Sequence, residues 1–342
     1  MPDENVQVVC RVRPRNPREL KTSQTLGEPV VQVDSKTSSI RVRAKGEDKI
    51  FKYDFSAGEE VTQEELFEIA GAPITSRCLE GYNGTILCYG QTGSGKTFTI
   101  FGDSLPERSQ CLKPISRGLV PRILEYLWSN IPLDCEFHPK CAFYEIYQEK
   151  IYDLLDPANS SPLAVREDIK SGVYVEGCTE QSISSVDEAY ELLSLGYRSR
   201  HVGETAMNRM SSRSHAIFQL TLEKKHVYHQ NEVEVNHVIS SRFSLVDLAG
   251  SERQRDTQTT GTRLREAAVI NKSLTCLGKV ITELISQPIG KNKKRNHINY
   301  RDSKLTFLLR DSLGGNSKVS AVAKSQSHPS PADCSHRHDF SC

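Results

Sequence analysis

The chain has 342 residues, 37% of them hydrophobic and 25% charged, a balance that suits a soluble globular protein rather than a disordered or membrane one. Lys plus Arg (44) nearly cancels Asp plus Glu (43), so overall charge announces neither a nucleic acid nor a membrane, and any acidic partner must be met by a local patch. No apolar stretch approaches the roughly 20 residues needed to cross a bilayer, and the opening "MPDENVQVVC" lacks the basic head and apolar stretch of a secretion signal. We therefore expect an intracellular protein whose ten cysteines, scattered singly, stay as free thiols.

In chain order, "NVQVVCRVRP" places apolar residues at Val6, Val8, Cys10 and Val12 before Pro14, the alternation of a half-buried strand. "CAFYEIYQEKIYDLLD" is rich in aromatic and branched residues and reads as a strand followed by a short turn or second strand. "SSVDEAYELLSLGYRSR" carries a capping box, Ser185 with Glu188 three residues on, and opens a helix. "SRFSLVDLAGSE" gives a strand ending near Asp247, and "TRLREAAVINKSLTCLGKVITELI" has helical apolar spacing that predicts a long helix over at least its second half. Strands separated by helices favour a layered α/β core, with no internal repeat and no clear domain boundary.

Between these elements, "GQTGSGKT" (residues 90–97) matches GxxxxGK[ST] in full and follows the strand-like run "TILCYG". In such a loop Gly90, Gln91, Thr92, Gly93, Ser94 and Gly95 turn backbone N–H groups onto phosphate oxygens, Lys96 meets the β and γ phosphates, and the Thr97 hydroxyl binds Mg²⁺. A chance glycine turn is the bland alternative. Turnover needs a further carboxylate and groups that sense the γ-phosphate. Asp247 stands at the end of an apolar strand, where it would hold Mg²⁺ through water, and Gly250 offers an N–H to the γ-phosphate; a cap or turn role is the alternative for Asp247. "NRMSSRSH" (208–215) is dense in hydroxyls: Ser211, Ser212 and Ser214 are candidates to ligate metal or orient water, and Arg213 to pair with Glu252. Standing alone, it would read as a surface loop.

"GQTGSGKT", "NRMSSRSH" and "DLAGSE", in that order and with "CRVRP" near the start, closely resemble the motor domain of kinesins, with details of "SERQRDT" and "YRDSKLTFLLRDSLGGN" most like the spindle-associated kinesin-12 group. The likeness runs from about Val6 to about Val322. It implies a P-loop NTPase-type α/β fold, an eight-stranded, mostly parallel central sheet flanked by three helices on each face, binding MgATP on one side and a microtubule on the other. By motif position, Arg11, Arg13 and Pro14 would line the adenine pocket and Phe98 would stack beside the base. The first switch maps onto Asn208, Ser211, Ser212, Arg213 and His215, with Asn208 and Ser214 on the nucleotide side, and the second onto Asp247, Gly250 and Glu252. The implied activity is a microtubule-stimulated ATPase in the cytoplasm and on the cytoskeleton, including the mitotic spindle, with ATP and Mg²⁺ as cofactors.

The partner surface follows from charge and resemblance together. "GKNKKRNHINYRDSK" gathers Lys291, Lys293, Lys294, Arg295, Arg301 and Lys304 into a positive patch, and Lys272 lies on the helix that meets tubulin in kinesins. With Tyr300 the only aromatic nearby, base stacking is disfavoured, so no nucleic acid and no membrane is expected, against the bland reading of a solvated basic loop. We expect a motor domain over 1–324 and a divergent tail over 325–342 in place of the final helix and neck linker. Cys334, His336, His338 and Cys342 in that tail match no standard zinc spacing. The tail keeps open a nonmotile, nucleotide-gated microtubule binder beside the motor reading; a P-loop NTPase unrelated to filaments is the third.

Overall fold

A computed structural model of the chain describes residues 6–15, 31–44, 47–103, 116–131, 135–169, 172–207, 211–230, 233–252, 262–287, 297–314 and 317–326. At its centre is a nine-stranded sheet, and two small sheets lie outside it, β2 (Val31–Asp34), β3 (Ser39–Ala44) and β4 (Glu47–Lys52) in one and β9 (Ala164–Asp168) with β10 (Gly172–Glu176) in the other. The central sheet divides into two halves. In the parallel half, β6 (Asn83–Gly90) lies between β13 (Val233–Asp247) and β14 (Ser317–Gln326), and β1 (Val6–Arg13) lies between β14 and β5 (Phe55–Ala57). In the antiparallel half, β13 pairs with β12 (His215–Gln230), β12 with β7 (Glu136–Tyr147), and β7 with β11 (Gln181–Ser182) and β8 (Lys150–Asp153). The eight-strand path is therefore mixed, with its parallel character concentrated around the phosphate-loop strand.

The strands read as continuous apolar runs because both faces are covered. On β6, Ile86 and Cys88 enter one core and Leu87 the other; Phe218 and Ile217, Leu245 and Val246, and Phe143 and Tyr144 divide in the same way. The first core packs under α1 (Gln63–Leu66), its π-helical continuation Phe67–Gly71 and α2 (Ala72–Leu79), together with α4 (Leu119–Ser129) and α5 (Val186–Met207); α3 (Lys96–Ile100) joins them at the end of the phosphate loop. The second core packs under α6 (Thr262–Ile285), α7 (Lys304–Leu308) and α8 (Arg310–Gly314). Among the described residues the first face carries the run Gln63–Leu79, α4 and α5 with the short α3, and the second carries the long α6 with the short α7 and α8, so helices flank both faces as expected.

Two local readings are refined. β1 is not half-buried: Val9, Cys10, Arg11 and Val12 are all buried, because strands flank it on both edges and side chains cover both faces. The aromatic stretch forms a tight hairpin, β7 to β8, whose turn residues Gln148 and Glu149 both take positive φ (51° and 60°), the geometry of a two-residue turn that follows strand twist. At the start of α5, Ser185 Oγ accepts from the Glu188 N–H at 3.2 Å, while the Glu188 carboxylate accepts from the backbone and hydroxyl of Ser184, one residue earlier than a standard box. α6 is helical over the whole of the quoted stretch, Thr262–Ile285, and so extends beyond the second half that the apolar spacing predicts.

Three parallel strands end on one edge of the sheet. Arg13, Gly90 and Asp247 close β1, β6 and β13, and Asp247 pairs in register with Cys88. Chain turns beyond the carboxyl ends of parallel strands are where open α/β sheets hold ligands.

Candidate functional site

The loop after β6 is held in shape by its own backbone. Gly93 and Gly95 have φ of 76° and 93°, a region costly for any residue with a Cβ, and the Ser94 N–H closes the turn onto the Gln91 carbonyl at 3.2 Å. Lys96 then starts α3, with its ammonium turned back over the loop, donating to the Gly90 and Gln91 carbonyls at 2.8 and 2.9 Å. Burial lowers the Lys96 pKa, and the nearby carboxylates of Asp247 and Glu252 oppose that shift. Arg13 clamps the loop from β1, its Nε donating to the Gly93 carbonyl at 2.8 Å.

Beside the loop lies a buried cluster of charges. Thr97 Oγ1 donates to Asp247 Oδ2 at 2.8 Å, and the same oxygen accepts from an Arg200 terminal nitrogen at 3.0 Å. Arg200 Nε stands 3.6 Å from Glu145 on β7, and its other terminal nitrogen donates to the Ser214 carbonyl at 3.2 Å. Asp247 Oδ1 is buried with no hydrogen-bond partner. A spare carboxylate oxygen next to a threonine hydroxyl fits a hydrated Mg²⁺, which takes oxygen ligands and keeps several of its waters.

The two loops beyond the phosphate loop meet each other and it. The Gly250 N–H donates to the Ser212 carbonyl at 2.9 Å and the Ser251 N–H to the Gly90 carbonyl at 3.2 Å. Glu252 accepts from the Thr92 N–H at 2.8 Å and also from the Thr92 hydroxyl. A Cβ at Gly250 would stand 2.3 Å from Thr92 Oγ1 and 2.4 Å from Glu252 Oε2, so any side chain there displaces the Thr92–Glu252 pair. In this arrangement Glu252 holds Thr92, in place of the partner Arg213 expected from sequence.

The described residues at 11–14, 90–98, 211–214 and 247–252 all lie around this edge. Ser211 opens a short 3₁₀ turn ending at Arg213. Arg11 is buried and its guanidinium is turned inward, bonded to Gln63 Oε1 at 2.5 Å, Thr99 Oγ1 at 3.2 Å and the Val61 carbonyl at 3.2 Å, with burial lowering its pKa. Its place is thus a brace between β1, α1 and α3. Phe98 stays exposed, with the Arg11 guanidinium 5.9 Å from its ring centroid. Asn208 and the patch Lys291, Lys293, Lys294 and Arg295 lie outside the described residues, as does the tail beyond Gln326.

A family model described as the kinesin motor domain matches residues 11–336, most of the chain. The chain belongs to the kinesin motor domain family. It is 47% identical to Kinesin-like protein KIF15 of Homo sapiens, an alignment covering 93% of this chain and 22% of the relative. It is 46% identical to Kinesin-like protein KIN-12G of Oryza sativa subsp. japonica, covering 97% and 25%. The chain thus spans about a quarter or less of the length of these relatives. A solved structure of a fast kinesin superposes with a TM-score of 0.81 at 37% identity, covering 94% of this chain and 86% of that one.

In this kinesin motor domain the sequence reading passed over Arg200 and Glu145, yet both carried a signal. Arg200 continues the buried stripe Ala189, Leu193, Gly196 at helical spacing, and Glu145 continues the inward row Cys141, Phe143 on β7. A charged residue in a buried row needs a charged partner, and here each supplies the other's.

Proposed function

We propose that this chain is an ATP-hydrolysing motor domain whose two switch loops couple MgATP turnover to changes in its grip on microtubules. The observation that carries the proposal is the three-way junction at the sheet edge, where Gly250 bonds Ser212, Ser251 bonds Gly90 and Glu252 bonds Thr92. A γ-phosphate arriving among these groups competes for the donors that now hold the loops together, and so reports its presence to all three segments.

Residue roles follow from position. The loop N–H groups and Lys96 bind and orient the phosphates, Lys96 exchanging its two carbonyl partners for phosphate oxygens. Thr97 and Asp247 would hold Mg²⁺, which when bound offsets negative charge on the β and γ phosphates. Ser211, Ser212 and Arg213 close over the γ-phosphate and position the attacking water, with Ser212 the further candidate for the metal. Glu252 leaves Thr92 to pair with Arg213, and Gly250 turns its N–H from Ser212 to the γ-phosphate. Arg13, Pro14 and Phe98 flank the base.

On the second face, Lys272, Lys279, Arg301 and Asp302 line a groove of about 540 Å³ between α6 and the 3₁₀ turn Tyr300–Asp302. Arg301 is stacked over Phe307 at 4.8 Å and bonded to Glu167 at 2.5 Å, which presents it from a fixed base. With Lys304 nearby, this face suits the acidic surface of a microtubule, which supports a place on the cytoskeleton. Steady-state ATPase, measured with and without polymerised microtubules at low and moderate salt, tests the proposal. Strong stimulation that weakens with salt is expected; a folded protein whose turnover ignores microtubules would overturn it.

A further inference from the structure

α6 packs on the second face of the sheet, and one buried side chain touches both α6 and the loop that follows Asp247 at the nucleotide edge. His215, the first residue of β12, is 3% exposed. Its Nδ1 accepts from the Ala249 N–H at 3.0 Å, in the loop between Asp247 and Gly250. Its Nε2 stands 2.8 Å from Ser273 Oγ on α6, and Ser273 is itself 2% exposed. An imidazole nitrogen that accepts carries no proton, so the ring proton sits on Nε2 and is donated to Ser273. Burial, with Arg200 and Lys96 nearby, drives the His215 pKa down to about 3, so the ring stays neutral and this single tautomer persists across physiological pH.

We propose that Ser273 is a positioning residue for nucleotide coupling: through His215 it ties α6 to the loop carrying Ala249 and Gly250, so that movement of this loop is handed to the microtubule-facing helix as a hydrogen bond kept or broken. The inference rests on the motor reading above and adds a route to it. The tie is directional, because Ala249 and Gly250 are consecutive: Gly250 N–H holds Ser212 and Ala249 N–H holds His215. A peptide turn that brings the Gly250 N–H to a γ-phosphate also swings the adjoining Ala249 amide. Around this polar link the helix is held by apolar contacts from Leu274 and Leu277, which resist separation but carry little directional information, since burial is non-directional. The hydrogen bond supplies the register that the greasy contacts lack.

The experiment compares the full chain with Ser273→Ala, which removes the acceptor, and Ser273→Thr, which restores a hydroxyl. Hydrogen exchange of the amides of 271–285 is followed with and without a non-hydrolysable MgATP analogue, beside ATPase with and without microtubules and a thermal melt. In the wild type, nucleotide is expected to change exchange along 271–285. In Ser273→Ala, analogue affinity and basal turnover should stay within about twofold, while the exchange change and microtubule stimulation fall at least tenfold; Ser273→Thr should recover both. A merely structural role would lower the melting temperature of Ser273→Ala with the nucleotide response intact, and that result overturns the inference. A full response in a stable Ser273→Ala overturns it as well. If the wild type binds no nucleotide, the motor reading fails first, and the two failures are told apart by the wild-type control. Should Ser273→Ala not fold, Ser273→Cys keeps the volume with a weak acceptor and must show a reduced response.

Discussion

Arg200 and Asp247 form an ion pair at 3.0 Å with side chains 1% and 2% exposed, and Glu145 completes the group from β7, on the far side of β12. A guanidinium between two carboxylates in so dry a place is held by geometry, since each ion has given up its hydration and depends on the others for compensation.

Replacing Arg200 with Met should therefore destabilise the fold by about 3–5 kcal/mol, because two carboxylates are left without their cation. Urea unfolding measures this directly. Adding Glu145→Gln to the variant should recover part of the loss, and a single variant as stable as the wild type would show that the buried group carries no net stability.

Lys96→Ala should reduce nucleotide turnover on the order of 10²–10³-fold, since it removes the ammonium that lies over the phosphate loop. Binding of a fluorescent ATP analogue and single-turnover hydrolysis are the readouts. Near-normal ATPase would move the site elsewhere.

Glu252→Ala should bind ATP and fail to hydrolyse it. The loss would have two parts: in the proposed closed state Arg213 would lack its carboxylate partner, and in the present one Thr92 is freed. Rapid mixing that finds wild-type hydrolysis in a single turnover would exclude the role of Glu252 in closure.

His215 gives a pH signature. Its folded pKa, about 3, lies below the roughly 6.5 of an unfolded histidine, so the unfolded state binds the extra proton first as pH falls. The contribution to stability is full above pH ~6.5 and declines at about 1.4 kcal/mol per pH unit toward pH ~3. Between pH 7 and 5 the wild type should lose about 2 kcal/mol more than His215→Asn. Parallel pH dependence in the two proteins would mean that His215 does not titrate on unfolding.

Gly196 tests the packing of α5. A Cβ there would stand 2.2 Å from Phe143 Cδ1, inside the first core, where the ring is fully buried. Gly196→Ala should cost about 1–3 kcal/mol by overpacking, against the gain of up to about 1 kcal/mol that alanine brings to a helix. A rise in the thermal midpoint would show that the ring yields.

The phosphate loop, Asp247 and the long helix α6 were legible because each is written locally, as a fixed spacing or a period. The two cores could be read in part: runs such as "TILCYG" announced buried strands, but only the topology shows which residues face which helices. β1 was misjudged as half-buried because alternation at 6, 8, 10 and 12 hid the fact that Arg11 turns inward to Gln63 and Thr99. Contacts such as Thr92 to Glu252, 160 positions apart, and His215 to Ser273, 58 apart, leave no periodic trace. They join residues whose types suit many roles, and only the closed sheet brings them together.

The position of β14 has a consequence for how the protein is made. β6 and β1 both depend on β14 as a neighbour, and Ser317 Oγ bonds the Asn83 carbonyl across 234 positions of chain. On the ribosome, the strand that carries the phosphate loop emerges early and waits with an open edge until residues near 317–326 arrive. Such an edge invites pairing with other nascent chains. Assembly of the nucleotide pocket thus waits for residues 317–326 to emerge, and the yield of active protein from cells should depend on holding chaperones more than its final stability would suggest.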